Sequence, residues 1–182
     1  MNGAAPVERA RRMIFRSFAG FGSAAANAEY PTGFRANSNR SGTTPAHDWM
    51  HYPDEIVAFV ERLRGVVIEN RSAIDVMRAH DGETALHYVD PPYPHSARRP
   101  RHRAIKEYGE WEMTDEQHTE LAQVLMGLAG AVVLSGYRCE LYDGLYQDWT
   151  RVDRTAFADG ARRRVESLWL SPGTVLSPRM GI

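Results

Sequence analysis

The sequence predicts an α/β protein with a largely parallel sheet, and three observations carry that prediction. Short apolar runs alternate with stretches of helical periodicity, the order expected of strands joined by crossover helices. The last two apolar runs have no helical stretch between them, so they are expected to form an antiparallel hairpin at one edge. The chain is 182 residues long with 43% hydrophobic residues, enough for one sizeable core.

The elements follow in order. Pro6 to Phe18 reads as a helix, and residues 19–48, rich in Gly, Asn, Ser, Thr and Pro, read as loop. Ile56, Phe59, Val60 and Leu63 fall at i, i+3, i+4 and i+7, which predicts an amphipathic helix from Asp54 to Leu63. Val66 to Glu69 reads as a strand, Ala73 to Ala79 as a short helix, and Ala85 to Val89 as a buried strand. Thr114 and Gln117 have capping-box spacing, and Leu121, Val124, Leu125 and Leu128 continue one apolar helical face. A strand at 131–134, a short helix at 140–146 and strands near 149–155 and 164–170 complete the chain. The expected organisation is a segment 1–50, holding a helix and a loop, followed by a core over 51–182.

Composition sets bounds. No apolar run approaches 18 residues, so no membrane span is expected, and Glu8, Arg9, Arg11 and Arg12 interrupt the apolar centre that a signal peptide needs. Cys139 is the single cysteine, which fits a reducing, cytoplasmic setting and reads as a half-buried helix residue. His47 and His51 are four apart but straddle the run before Pro53, a helix breaker, and lack the acid of a His-Glu-x-x-His pattern, so no metal is expected. The net charge of −1 is unevenly spread. Arg98, Arg99, Arg101, Arg103 and Lys106 follow one another with no acid before Glu107, a basic loop suited to phosphate contacts or merely solvated.

The chemistry concentrates at Asp90-Pro91-Pro92-Tyr93, immediately after the strand ending at Val89. Asp-Pro and Pro-Pro also serve as plain turn formers. At the carboxyl end of a strand in an open α/β sheet, however, they stand where such sheets hold ligands. An exocyclic amine of adenine or cytosine is a poor nucleophile, because its lone pair is delocalised into the ring. A carboxylate such as Asp90 and the Pro91 carbonyl can each accept one of its N–H bonds and favour a pyramidal nitrogen. Proline fixes the backbone there without adding a donor. The Tyr93 ring offers a face for an extruded base, worth roughly 1–3 kcal/mol per stacked base.

With these residues in view, the chain resembles the Dam-like N6-adenine DNA methyltransferases, whose motif at this place is Asp-Pro-Pro-Tyr. The resemblance extends to Val66–Ile74, to Ala131–Tyr137 with its Ser-containing turn, and to Arg164–Leu170, and covers roughly residues 50–172 in the family's order. It implies a partial Rossmann-like methyltransferase fold acting on double-stranded DNA with S-adenosylmethionine as methyl donor, in the cytoplasm at the nucleoid, in the setting of DNA methylation or restriction-modification. It assigns catalysis to Asp90, Pro91, Pro92 and Tyr93, cofactor contacts to Asp90, Asn70 and Ser72, and DNA contacts to Arg35, Asn37, Arg40, Arg98, Arg99, Arg101 and Arg103. Ser72 departs from the acidic residue common in the family.

Phe18-Ala19-Gly20-Phe21-Gly22 spells the Phe-x-Gly-x-Gly of a cofactor loop, but an Arg-studded helix precedes it where a strand is required. The match therefore reads as coincidental, and residues 19–48 correspond instead to the family's DNA-recognition region. On that mapping the cofactor-loop region is missing, and a separate N-terminal half becomes a candidate partner. The alternatives are a non-catalytic DNA-binding or split-enzyme fragment, and an N4-cytosine methyltransferase, since that amine poses the same chemical problem.

Overall fold

The computed structural model describes residues 5–20, 44–97, 111–158 and 162–174. The chain divides into two compact units, residues 1–68 and 69–182.

The first unit holds helices α1 (Pro6–Ala19) and α2 (Pro45–Leu63). Pro6 opens α1 at a position where its missing N–H costs nothing, and Glu8 in the first turn accepts from Arg11 and Arg12. Those two guanidiniums hold the Glu8 carboxyl down at about 2. The two helices pack through aromatic edges: Phe15 and Phe18 meet Trp49 at 5.4 and 5.8 Å, and Phe18 meets Tyr52 at 5.1 Å. The second helix is longer than its apolar periodicity predicts. It starts at Pro45, capped by the Thr44 hydroxyl accepting from the His47 N–H at 3.2 Å, and runs through Pro53. Proline inside a helix removes one hydrogen bond and crowds the preceding turn. Here the Trp49 and Tyr52 rings, stacked 5.9 Å apart against Phe18, hold the turn that Pro53 would break. His47 and His51 consequently lie one helical turn apart, with rings 4.6 Å apart, rather than on either side of a break.

The expected strand at Val66–Glu69 does not form. Val67 and Ile68 are 79% and 87% exposed in coil, and Glu69 is tied locally to Arg71 and His80. A β-branched run becomes a strand only where a ladder partner accepts it, and none meets it among the described residues.

The second unit contains α3 (Ala73–Ala79), β1 (Leu86–Val89), α4 (Asp115–Met126), β2 (Ala131–Gly136), α5 (Glu140–Leu145), β3 (Thr150–Ala158) and β4 (Arg162–Leu170). The sheet order is β1-β2-β4-β3. The first pair is parallel, with Leu86 opposite Ala131 and Val89 opposite Leu134. The other two pairs are antiparallel, so the expectation of a mostly parallel sheet is corrected: the hairpin β3–β4 supplies two of the three interfaces. Hairpin strands need only a short connection, whereas a parallel pair needs a long crossover, here the segment containing α4. Among the described residues β1 has β2 as its one neighbour, and Leu86 and Tyr88 on its face are 66% and 64% exposed.

The core lies between the sheet and α4–α5. Thr114 and Gln117 form the full capping box that starts α4, which then buries His118, Leu121, Ala122 and Leu125. Leu121, Ala122 and Leu125 share one buried cluster with Val132 and Leu134 of β2 and Trp169 of β4. Burial of such apolar groups stabilises the unit by about 25 cal/mol per Å² removed from water. Cys139 caps α5 in an extended conformation and is buried, not half-buried within a helix. Asp81 secures the entry to the parallel pair. Its carboxylate accepts the Ala129 and Gly130 N–H groups at 2.8 and 2.9 Å, and lies 3.1 Å from His87 Nε2. No helix is long and apolar enough to cross a membrane among the described residues.

Candidate functional site

Two neighbouring strands deliver the site. Chain β1 ends at Val89, and the next four residues are Asp90-Pro91-Pro92-Tyr93; chain β2 ends in Ser135-Gly136, followed by Tyr137. Because Val89 pairs with Leu134, continuing the register sets Asp90 beside Ser135. In a parallel pair, residues opposite one another project to the same face, and the result is visible: Ser135 Oγ donates to Asp90 Oδ1 at 2.7 Å. The same hydroxyl lies 3.4 Å from the Val89 carbonyl, too long to compete with the carboxylate.

The four motif residues divide by burial. Pro91 and Pro94 are buried, Pro92 and Tyr93 are half-buried, and Asp90 is exposed. The prolines therefore anchor the turn while the carboxylate faces outward. The Tyr93 ring meets Tyr137 edge to face, centroids 4.6 Å apart and planes at 76°. This is a favoured aromatic geometry and fixes the Tyr93 ring against Tyr137. After Tyr137, Arg138 donates to Asp143 at 2.9 Å and Arg151 of β3 donates to the same carboxylate at 2.8 Å, pinning the turn to α5 and the hairpin.

The floor beneath the site is aromatic. Gly136 allows the Tyr142 ring onto the strand: a Cβ there would lie 3.0 Å from Tyr142 Cε2. Tyr142 meets Tyr146 and Trp169 edge to face at 5.3 and 5.2 Å, and its hydroxyl lies 3.1 Å from His118 Nδ1. Burial pushes both phenols far above the usual tyrosine value, so they stay neutral.

Of the remaining expected site residues, Asn70 and Ser72 fall among the described ones. Asn70 and Ser72 are exposed, in coil and at the start of α3, with no hydrogen bond to Asp90 among the described residues. Arg35, Asn37, Arg40, Arg98, Arg99, Arg101 and Arg103 lie outside the described residues. Among the described residues, His95 Nε2 lies 3.5 Å from Glu112 Oε2. A cleft of about 500 Å³, lined by Glu83, Leu125, Leu145, Trp149 and Ser171, opens beside Gly130 and Ala131, at the opposite end of β2 from Ser135. Among the described residues no group of three or more His, Cys, Asp or Glu side chains could hold a metal ion.

Ser135 and Tyr137 were not singled out as functional from the sequence. The available signal was a parallel: the apolar run Ala131–Leu134 ends in a polar residue and then an aromatic, as Ala85–Val89 ends in Asp90 and then Tyr93. Two parallel strands ending alike, side by side, converge on one place. What the pair defines is a surface carboxylate held by a buried hydroxyl beside an oriented aromatic ring. No family model matches this chain, and no curated protein matches it.

Proposed function

We propose that this site receives a nucleobase swung out of DNA and polarises its exocyclic amine, serving N6-adenine methylation. The observation that carries the reading is the oriented pair of Asp90 and Tyr93, the one held by Ser135 at 2.7 Å and the other by Tyr137 at 4.6 Å. Asp90 accepts one N–H of the amine and the Pro91 carbonyl accepts the other, which draws electron density onto the nitrogen. The base lies against the Tyr93 ring, and the buried prolines keep the acceptors in place. The Arg-rich sequence from Arg98 to Lys106, eight residues after Asp90, supplies charge for the flanking phosphates.

The methyl donor, S-adenosylmethionine, supplies an electrophilic methyl carbon to such an amine. The described residues do not fit it. Helix α1, not a strand, precedes Gly20, and Asn70 and Ser72 stand exposed without a cradle. A second reading is that the chain holds DNA and the target base without transferring a methyl group itself. N4-cytosine methylation is the nearest chemical rival, because the acceptor geometry suits either amine.

Calorimetry with S-adenosylmethionine, together with methyl transfer to adenine-containing and cytosine-containing DNA, tests these readings. Transfer to adenine that is lost in Asp90→Ala, with folding retained, supports the enzyme. Absence of donor binding, with adenine binding that depends on Asp90, supports the binding fragment. Base binding indifferent to Asp90 overturns the site itself.

A further inference from the structure

We propose that Ser135 is a positioning residue for base recognition: its hydroxyl holds Oδ1 of Asp90 and thereby presents Oδ2 to a donor on the ligand. The inference rests on the reading of Asp90 as the base acceptor and specifies how that acceptor discriminates.

Asp90 is exposed and follows the last residue of a strand, so nothing in its own backbone fixes the carboxylate plane. Ser135 is buried within β2, whose backbone is held on both sides by β1 and β4, with Ser135 itself opposite Leu168. A buried donor within the sheet thus holds an exposed acceptor. At 2.7 Å the contact is a well-formed hydroxyl–oxygen hydrogen bond. A hydroxyl carries a single proton, so it engages one oxygen. No other hydrogen bond reaches the Asp90 carboxylate among the described residues. Oδ2 is left as an acceptor with no donor function, on a carboxylate that the Ser135 contact holds in place.

The ligand class follows from that polarity. An ionised carboxylate welcomes an N–H and repels a carbonyl oxygen at the same position. Adenine and cytosine, which carry an amine there, fit; guanine and thymine, which carry a carbonyl, do not. Stacking on Tyr93 does not distinguish among bases, so the discrimination lies with Asp90 and the group that aims it.

The test is the preference of the intact chain for a duplex with adenine opposite an abasic site over the same duplex with purine, which lacks the amine. The wild type is expected to prefer adenine, and Asp90→Asn to abolish the preference. Ser135→Ala is expected to cut it about tenfold or more, in line with loss of a hydrogen bond to a charged group, while purine affinity stays unchanged. Ser135→Thr, which keeps the hydroxyl, is expected to restore it. Should the alanine variant fail to fold by circular dichroism, Ser135→Cys, with its poor donor, replaces it. A preference that needs Asp90 but survives Ser135→Ala overturns the role of Ser135 and leaves the base pocket standing. A wild type without preference, or a preference that survives Asp90→Asn, overturns the base pocket and the role of Ser135 with it.

Discussion

The rings of Tyr93 and Tyr137 meet edge to face, 4.6 Å apart at 76°, across the gap between the two parallel strands that carry the site. Tyr137 thereby sets the plane of the ring proposed to stack on the base. Tyr93→Ala is expected to weaken binding of a duplex with adenine opposite an abasic site by roughly 1–3 kcal/mol, the worth of one stacked base, whereas Tyr93→Phe should retain most of it. Tyr137→Leu should fall between the two, since the ring remains but loses its orientation. Fluorescence anisotropy with labelled duplex reads all three.

Asp81 ties the chain before β1 to the turn before β2. Two backbone N–H bonds from Ala129 and Gly130, then the His87 contact, hold its carboxyl at about 2 instead of 3.8. A carboxylate with a depressed folded value contributes stability that is fully present above its unfolded value and is lost as pH falls through the folded value. Asp81→Asn should therefore be less stable than the wild type at neutral pH. The difference should begin to shrink below about 3.8 and vanish near about 2. Urea midpoints measured from pH 7 downward follow it; a gap unchanged at acid pH would show that the charge of Asp81 is not what matters.

Gly130 is hemmed in by backbone. A Cβ there would lie 2.8 Å from the Ala85 carbonyl oxygen, 2.9 Å from Ala85 Cβ and 3.0 Å from the Gly82 carbonyl oxygen. None of these can rotate away. Gly130→Ala should cost about 1–3 kcal/mol in chemical unfolding, the usual penalty of overpacking. By contrast nothing lies within 4 Å of a Cβ at Gly144, so Gly144→Ala on α5 should be tolerated.

Tyr142 supplies a hydroxyl to His118 in the core, 3.1 Å from Nδ1. Tyr142→Phe keeps the edge contacts with Trp169 and Tyr146 but removes that partner. A loss of about 0.5–1.5 kcal/mol is expected, the net worth of one hydrogen bond. Thermal unfolding compared with the wild type checks it.

Much of the second unit was legible in the sequence because its signals are local. The Thr114–Gln117 capping box and the spacing of Leu121 and Leu125 specify α4 and its buried face without reference to the rest of the chain. The hairpin β3–β4 was legible for a similar reason, since two strands with no helix between them can pair only with a turn. Where the reading failed, distant partners decide. Val66–Glu69 carries strand-forming residues but meets no ladder among the described residues. Pro53 obeys the helix-breaking rule in isolation and yields to the aromatic packing of Trp49 and Tyr52. The site was half legible: Asp90-Pro91-Pro92-Tyr93 stands out by chemistry, whereas Ser135 becomes its neighbour only through the strand register.

The most direct test of the central claim is amide chemical-shift mapping of the chain during titration with a duplex carrying adenine opposite an abasic site. The account predicts the largest changes at Val89, Asp90, Tyr93, Ser135 and Tyr137, and smaller ones when purine replaces adenine. Changes centred on Ala129–Ala131 and the cleft at the other end of β2, or equal for adenine and purine, would contradict it.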